Sequence, residues 1–138
     1  MGYVERLALL DCYTPSDAVI ISNDAEKTAI SASYVKVKQI TVVRSIYPGS
    51  QFRYTYDIKS TDGTHAAYGH IYKNGVAIGS QGVNNNGIYE TDVEDIVTTN
   101  WLVGDTIELW CRSTGGKAYW VKNFRIEGVG APFYGSLV

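Results

Sequence analysis

Carboxylate, imidazole and aromatic side chains all fall at spacings in this chain that could support chemistry. Glu90, Asp92 and Glu94, with Asp95 beside them, form the densest acidic group. On a strand, alternate positions share a face, so the first three would present hard oxygen ligands together, as Ca²⁺ requires. No Asp-x-Asp-x-Asp-Gly loop accompanies them, and a solvated strand face is the favoured reading. The two histidines, His65 and His70, stand in no His-x-His or His-x-x-x-His arrangement that could clamp a metal from one element. His65 follows a Gly63-Thr64 turn and reads as a solvated loop residue. No Gly-x-Ser-x-Gly elbow supports a Ser/His/Asp triad, and a carboxylate pair for glycoside hydrolysis needs a cleft and a measured separation, neither of which a sequence supplies. The expectation is a non-enzyme with no metal and no cofactor.

The aromatic residues carry more. If Ala67, Gly69 and Ile71 face the core, Tyr68, His70 and Tyr72 point outward; if Ile107, Leu109 and Cys111 face the core, Trp110 points outward with Glu108 and Arg112. Large amphipathic rings on an outer sheet face give much contact area at little entropic cost, against another protein or against a sugar ring. Tyr68, His70, Tyr72 and Trp110 are therefore the candidate interface or glycan-binding residues. Ordinary β propensity with partial exposure is the bland alternative.

The elements that would hold these rings are strands. The cleanest alternation puts Phe52, Tyr54, Tyr56 and Ile58 on one face and Arg53, Thr55, Asp57 and Lys59 on the other. Asn74-Gly75 between extended segments is a strong hairpin signal. Tyr34 to Ile46 reads as a long strand whose burial changes along its length, which predicts a bulge; Tyr47-Pro48-Gly49-Ser50 is a turn. Strands are also expected over Ala18 to Ser22, Val76 to Ser80 and Ile88 to Val97, with Asn84 to Gly87 a polar loop. Asp24 to Ile30 could begin a helix capped by Asn23 or Asp24, but the following Ser31, Ser33 and β-branched run favour extended chain. Asn100 to Gly128 reads as one closing hairpin turning at Ser113 to Gly116. There is also an internal echo: Lys59 to Gly63 with Ala67-Tyr68 resembles Arg112 to Gly116 with Ala118-Tyr119. Similar hairpins choosing similar turn residues would explain it equally well.

The whole is predicted to be all-β, a single antiparallel sandwich of eight or nine strands spanning residues 1–138, with an edge strand or arm over 1–17 and a tail over 129–138. Its expected core includes Phe52, Tyr54, Ile58, Ile107, Leu109, Phe124 and Ile126. A length of 138 residues with 45% apolar content suits one core. Eleven tyrosines and 14 glycines against three prolines and one methionine suit β structure. Twelve basic against 14 acidic residues leave a net charge of −2, which argues against nucleic acid and anionic membrane as partners. Cys12 and Cys111 lie too far apart for a local metal or redox motif; free thiols are favoured, with a disulfide open if their strands are neighbours. The N-terminus reads as no signal peptide and only a weak myristoylation match at Gly2.

Taken together, the Phe52, Tyr54, Tyr56, Ile58 alternation, the run Tyr72 to Val76, the run Trp101 to Leu109 and the closing Val121 to Ile126 resemble jelly-roll domains of virus and phage structural proteins, such as capsid decoration or turret proteins and tail-fibre heads. They are similar also to tumour-necrosis-factor-like jelly rolls and to carbohydrate-binding modules. The resemblance implies a non-catalytic virion structural protein that self-associates, most simply as a trimer through the outward rings, and contacts other virion proteins. Its alternative is a carbohydrate-binding module or host-glycan-binding adhesin domain, placed outside the cell or at its surface.

Overall fold

Alternating burial dictates the architecture. Phe52, Tyr54, Tyr56 and Ile58 are all buried, and the same period-2 pattern recurs in the strands that face them. The computed structural model describes residues 19–43, 52–97 and 101–128. Its ten strands are β1 (Val19–Asn23), β2 (Lys27–Ile30), β3 (Val35–Thr41), β4 (Phe52–Ser60), β5 (Ala67–Lys73), β6 (Val76–Ala77), β7 (Gly82–Asn84), β8 (Glu90–Ile96), β9 (Thr106–Ser113) and β10 (Ala118–Gly128). They form two antiparallel sheets packed as a jelly-roll-type sandwich. The first runs β1-β10-β4-β8, with β2 also on β10; the second runs β3-β9-β5-β6, with β7 also on β5. The expected core residues Phe52, Tyr54, Ile58, Ile107, Leu109, Phe124 and Ile126 are buried between the sheets, joined by Trp101, Tyr119 and Val121. No helix among the described residues is long and apolar enough to cross a membrane.

Several local expectations hold. Residues 27–30 are extended rather than helical, and Asn74 and Gly75 take positive φ (50° and 80°) in the turn joining β5 to β6. The bulge foreseen in the third strand falls between Lys36 and Lys38 and leaves Val37 and Lys38 both buried. Lys38 Nζ donates to Asn23 Oδ1 at 2.9 Å and to the Ala25 carbonyl, while burial pushes its pKa down. The arm over 1–17, the Tyr47 to Ser50 turn, Cys12 and the 129–138 tail lie outside the described residues.

Other expectations are corrected. Asn100 to Gly128 is not a hairpin, because β9 pairs with β3 and β5 whereas β10 pairs with β1, β2 and β4. Alternation reports which residues point inward and not which sheet a strand joins, so a sheet-crossing corner reads like a hairpin. The corner passes through Gly115 and Gly116 at φ of 69° and 66°, and Tyr119 Oη donates across the core to the Cys111 carbonyl at 3.0 Å. Residues 61–66 make the reverse crossing from β4 to β5, and the two corners lie side by side: Ser60 pairs with Tyr119 and Ala67 with Ser113. Thr114 N donates to the Ala66 carbonyl at 2.9 Å and Ala66 N to Thr114 Oγ1 at 2.8 Å. The sequence echo thus falls on two neighbouring crossings. The strand expected over Val76 to Ser80 stops at Ala77, and β7 was not foreseen.

Close packing against β4 and β8 explains one glycine in β5 and one in β7. A Cβ on Gly69 would stand 2.4 Å from the Tyr56 hydroxyl, and one on Gly82 would stand 1.6 Å from Asp92 Oδ2, whose carboxylate accepts the Tyr56 hydroxyl at 2.6 Å. Gly69→Ala should therefore destabilise by about 1–3 kcal/mol, the range for overpacking a filled core. Urea denaturation measures it; an unchanged midpoint would mean that the Tyr56 ring is not held against β5.

Candidate functional site

The four candidate rings share the outer face of the second sheet. β5 pairs with β9 so that His70 lies across from Trp110 and Tyr72 across from Glu108, while Ala67, Gly69 and Ile71 face inward. Tyr72 and Trp110 stack with ring centroids 4.6 Å apart and planes 14° apart. His70 meets Tyr72 edge-on at 5.6 Å, and Tyr34 meets His70 edge-on at 6.1 Å. Tyr68 joins through Arg112, whose guanidinium lies 4.1 Å from the Tyr68 ring centroid and 5.4 Å from that of Tyr34. All six side chains are half-buried.

Polar groups fix this surface from beneath and from the side. Glu108, only 4% exposed, accepts Trp110 Nε1–H at 2.7 Å and the Thr106 hydroxyl. Burial would raise its carboxyl pKa, but these two donors together with the Lys36 charge and the Gly75 amide outweigh burial and hold it below the ordinary 4.5, so the indole is anchored to an anion. Tyr34 Oη donates to Gln81 Oε1, and His70 Nε2 lies 3.2 Å from the Gly79 carbonyl, so the segment after β6 forms a polar rim. Burial, ahead of the opposing Arg112 hydrogen bond, raises the Tyr34 hydroxyl pKa.

Tyr34, Gln81 and the anchoring role of Glu108 were missed from sequence. The alternation of Tyr34 with Lys36 ahead of the bulge was the signal for the first; nothing local marks Gln81, which is brought in by the return of the chain to β7.

The acidic group is a solvated face only in part: Glu90 is exposed, whereas Asp92 and Glu94 are half-buried. Asp92 turns toward Tyr56, and Glu94 Oε2 accepts Ser80 N. The crossing of residues 79–82 over β8 supplies the partner of Glu94 and covers Asp92, whose own partner comes from β4, and alternation cannot foretell either. His65 occupies its loop, bound to Asp62 Oδ1 at 3.0 Å. Cys111 is a free, fully buried thiol, its pKa pushed up by burial. Among the described residues no group of three His, Cys, Asp or Glu could hold a metal ion.

The ion pairs lie elsewhere and set the acid response. Arg125 holds the carboxyl of Asp24, Arg53 that of Asp95, and the Leu102 amide with Asn74 that of Asp105, each below the ordinary 3.8. Folded values below unfolded ones contribute stability that is complete above the unfolded value and lost as pH falls through the folded ones. Denaturation midpoints at low salt should accordingly drop between neutral pH and about pH 3, and the drop should shrink with added salt, because these pairs are exposed. A flat profile would contradict these pairings.

No known protein family matches the sequence, and no curated protein matches it. Solved structures do match in fold. The CBM36-1 domain of a multidomain xylanase from the hindgut metagenome of Trinervitermes trinervoides aligns at TM-score 0.52 and 14% identity, over 87% of this chain and 95% of that one. The CBM22-1-GH10 modules of a Clostridium thermocellum xylanase, complexed with xylohexaose, align at TM-score 0.54 and 9% identity, over 82% of this chain and 29% of that longer one. The likeness is one of fold. A Tobacco streak virus coat protein aligns at TM-score 0.37 and 9% identity, which carries no argument for a virion role.

Proposed function

We propose that the protein is a non-catalytic carbohydrate-binding domain whose ligand lies across Tyr34, His70, Tyr72 and Trp110. The observation that carries this reading is the unbroken run of ring contacts on the outer face of the second sheet, with Arg112 and Gln81 beside it. Pyranose C–H faces pack on aromatic surface, while sugar hydroxyls need the adjacent donors and acceptors. This is the alternative drawn from the sequence, and it replaces the virion structural role as the favoured reading. Extracellular or cell-surface placement suits such a ligand. The fold relative complexed with xylohexaose makes neutral xylo-oligosaccharides the first ligands to try. Isothermal titration of the whole chain against a panel of neutral oligosaccharides tests the proposal: saturable binding to at least one supports it, and none across the panel removes it.

One observation favours self-association through the same face. Val83 pairs with Tyr68 and is 63% exposed, extending the apolar surface beyond the rings. A trimer closed on this face should dissociate when Tyr72→Ala and Trp110→Ala are combined. Light scattering decides: a monomeric wild-type mass, or a trimer that survives the double substitution, frees the face for ligand.

A further inference from the structure

The opposite sheet carries a second, differently charged cluster. Trp120 on β10 pairs with Lys59 on β4, and Lys122 follows on the same outer side of β10. Lys59 Nζ lies 4.8 Å from the Tyr89 ring centroid and 5.0 Å from that of Trp120, and Lys122 Nζ lies 4.2 Å from that of Tyr89. Two ammonium groups thus converge on one ring. Neither makes a salt bridge among the described residues. The nearby carboxylates are engaged otherwise: Asp57 accepts from Thr91 Oγ1 at 2.6 Å and Asn123 Nδ2 at 2.8 Å, and Glu26 accepts the Tyr89 hydroxyl. Asp57 and Thr91 also line a depression of about 370 Å³ that continues along this face.

From this arrangement we infer a second binding site, for an anionic pyranose chain, in which Lys59 and Lys122 hold a carboxylate or sulfate and the Tyr89 and Trp120 rings carry the sugar. A neutral sugar would leave both cations without counter-charge, and a simple inorganic anion would make no use of the rings. Glu26 sits at the edge with its negative charge, so the anionic group must enter from the lysine side. This site is independent of the neutral-glycan reading of the other sheet.

The test titrates the whole chain with an oligogalacturonide and, separately, with a sulfated oligosaccharide at low salt. Binding of either should weaken at least tenfold in the Lys59→Gln, Lys122→Gln double variant and with added salt, tighten in Glu26→Gln, and be unaffected by Trp110→Ala. Binding of only one ligand identifies the anionic group. No binding of either, or binding that the lysine double variant leaves unchanged, overturns the site. Circular dichroism and an unaltered denaturation midpoint establish that the double variant is folded. Retention of any neutral-oligosaccharide binding by that variant separates failure here from failure of the other face.

Discussion

Trp110→Ala should lower affinity for a neutral oligosaccharide by at least tenfold while leaving the protein folded. Trp110 is half-buried on an outer face, stacks on Tyr72 and is tethered by Glu108. Its removal takes away ring surface and also the partner that fixes Tyr72, and each 1.4 kcal/mol of lost contact is a factor of ten. Anchors of this type commonly account for 2 kcal/mol or more in alanine scans. Tyr72→Ala should weaken binding too. Because the two rings touch, the double variant should lose less than the sum of the singles. Titration calorimetry of the four proteins reads both effects. Wild-type affinity in Trp110→Ala would remove the indole from the site.

Trp101→Ala should destabilise by about 3–5 kcal/mol, the cost of deleting a fully buried large aromatic. Trp101 has no exposed surface, meets Tyr54 edge-on with centroids 6.5 Å apart, and donates Nε1–H to the Tyr54 hydroxyl at 2.9 Å. Lys73 Nζ lies 4.7 Å from its ring centroid. Leu102, the next residue and 50% exposed, is the internal control. Its replacement by Ala should stay within about 0.5 kcal/mol, as for other surface positions. Equal small effects at both positions in urea denaturation would mean that the indole is not in the core.

The sequence made the faces of the strands legible because side-chain direction follows from period-2 geometry alone. Phe52, Tyr54, Ile58, Ile107, Leu109, Phe124 and Ile126 fall in the core for that reason, and Tyr68, His70, Tyr72 and Trp110 fall outside it. Pairing was not legible in the same way. β9 and β10 look like hairpin partners because both alternate, yet Gly115 and Gly116 carry the chain to the other sheet. The inward turn of Asp92 depends on Gly82 leaving room across the gap, a long-range fit with no local signature. The binding surface was half visible for the same reason. Residues contributed by regular strands could be counted, Glu108 among them, while the burial of Glu108 against the Trp110 indole and the arrival of Gln81 through the connection into β7 could not.

The three tryptophans are placed so that one experiment reads the core and both faces: Trp101 is buried, Trp110 lies on the outer side of the second sheet and Trp120 on that of the first. Titrating the ¹⁵N-labelled protein with a neutral oligosaccharide and following the three indole N–H resonances tests the central claim directly. The Trp110 signal should shift in a saturable way while Trp101 stays in place. Saturable binding that moves Trp120 and leaves Trp110 unmoved would contradict it.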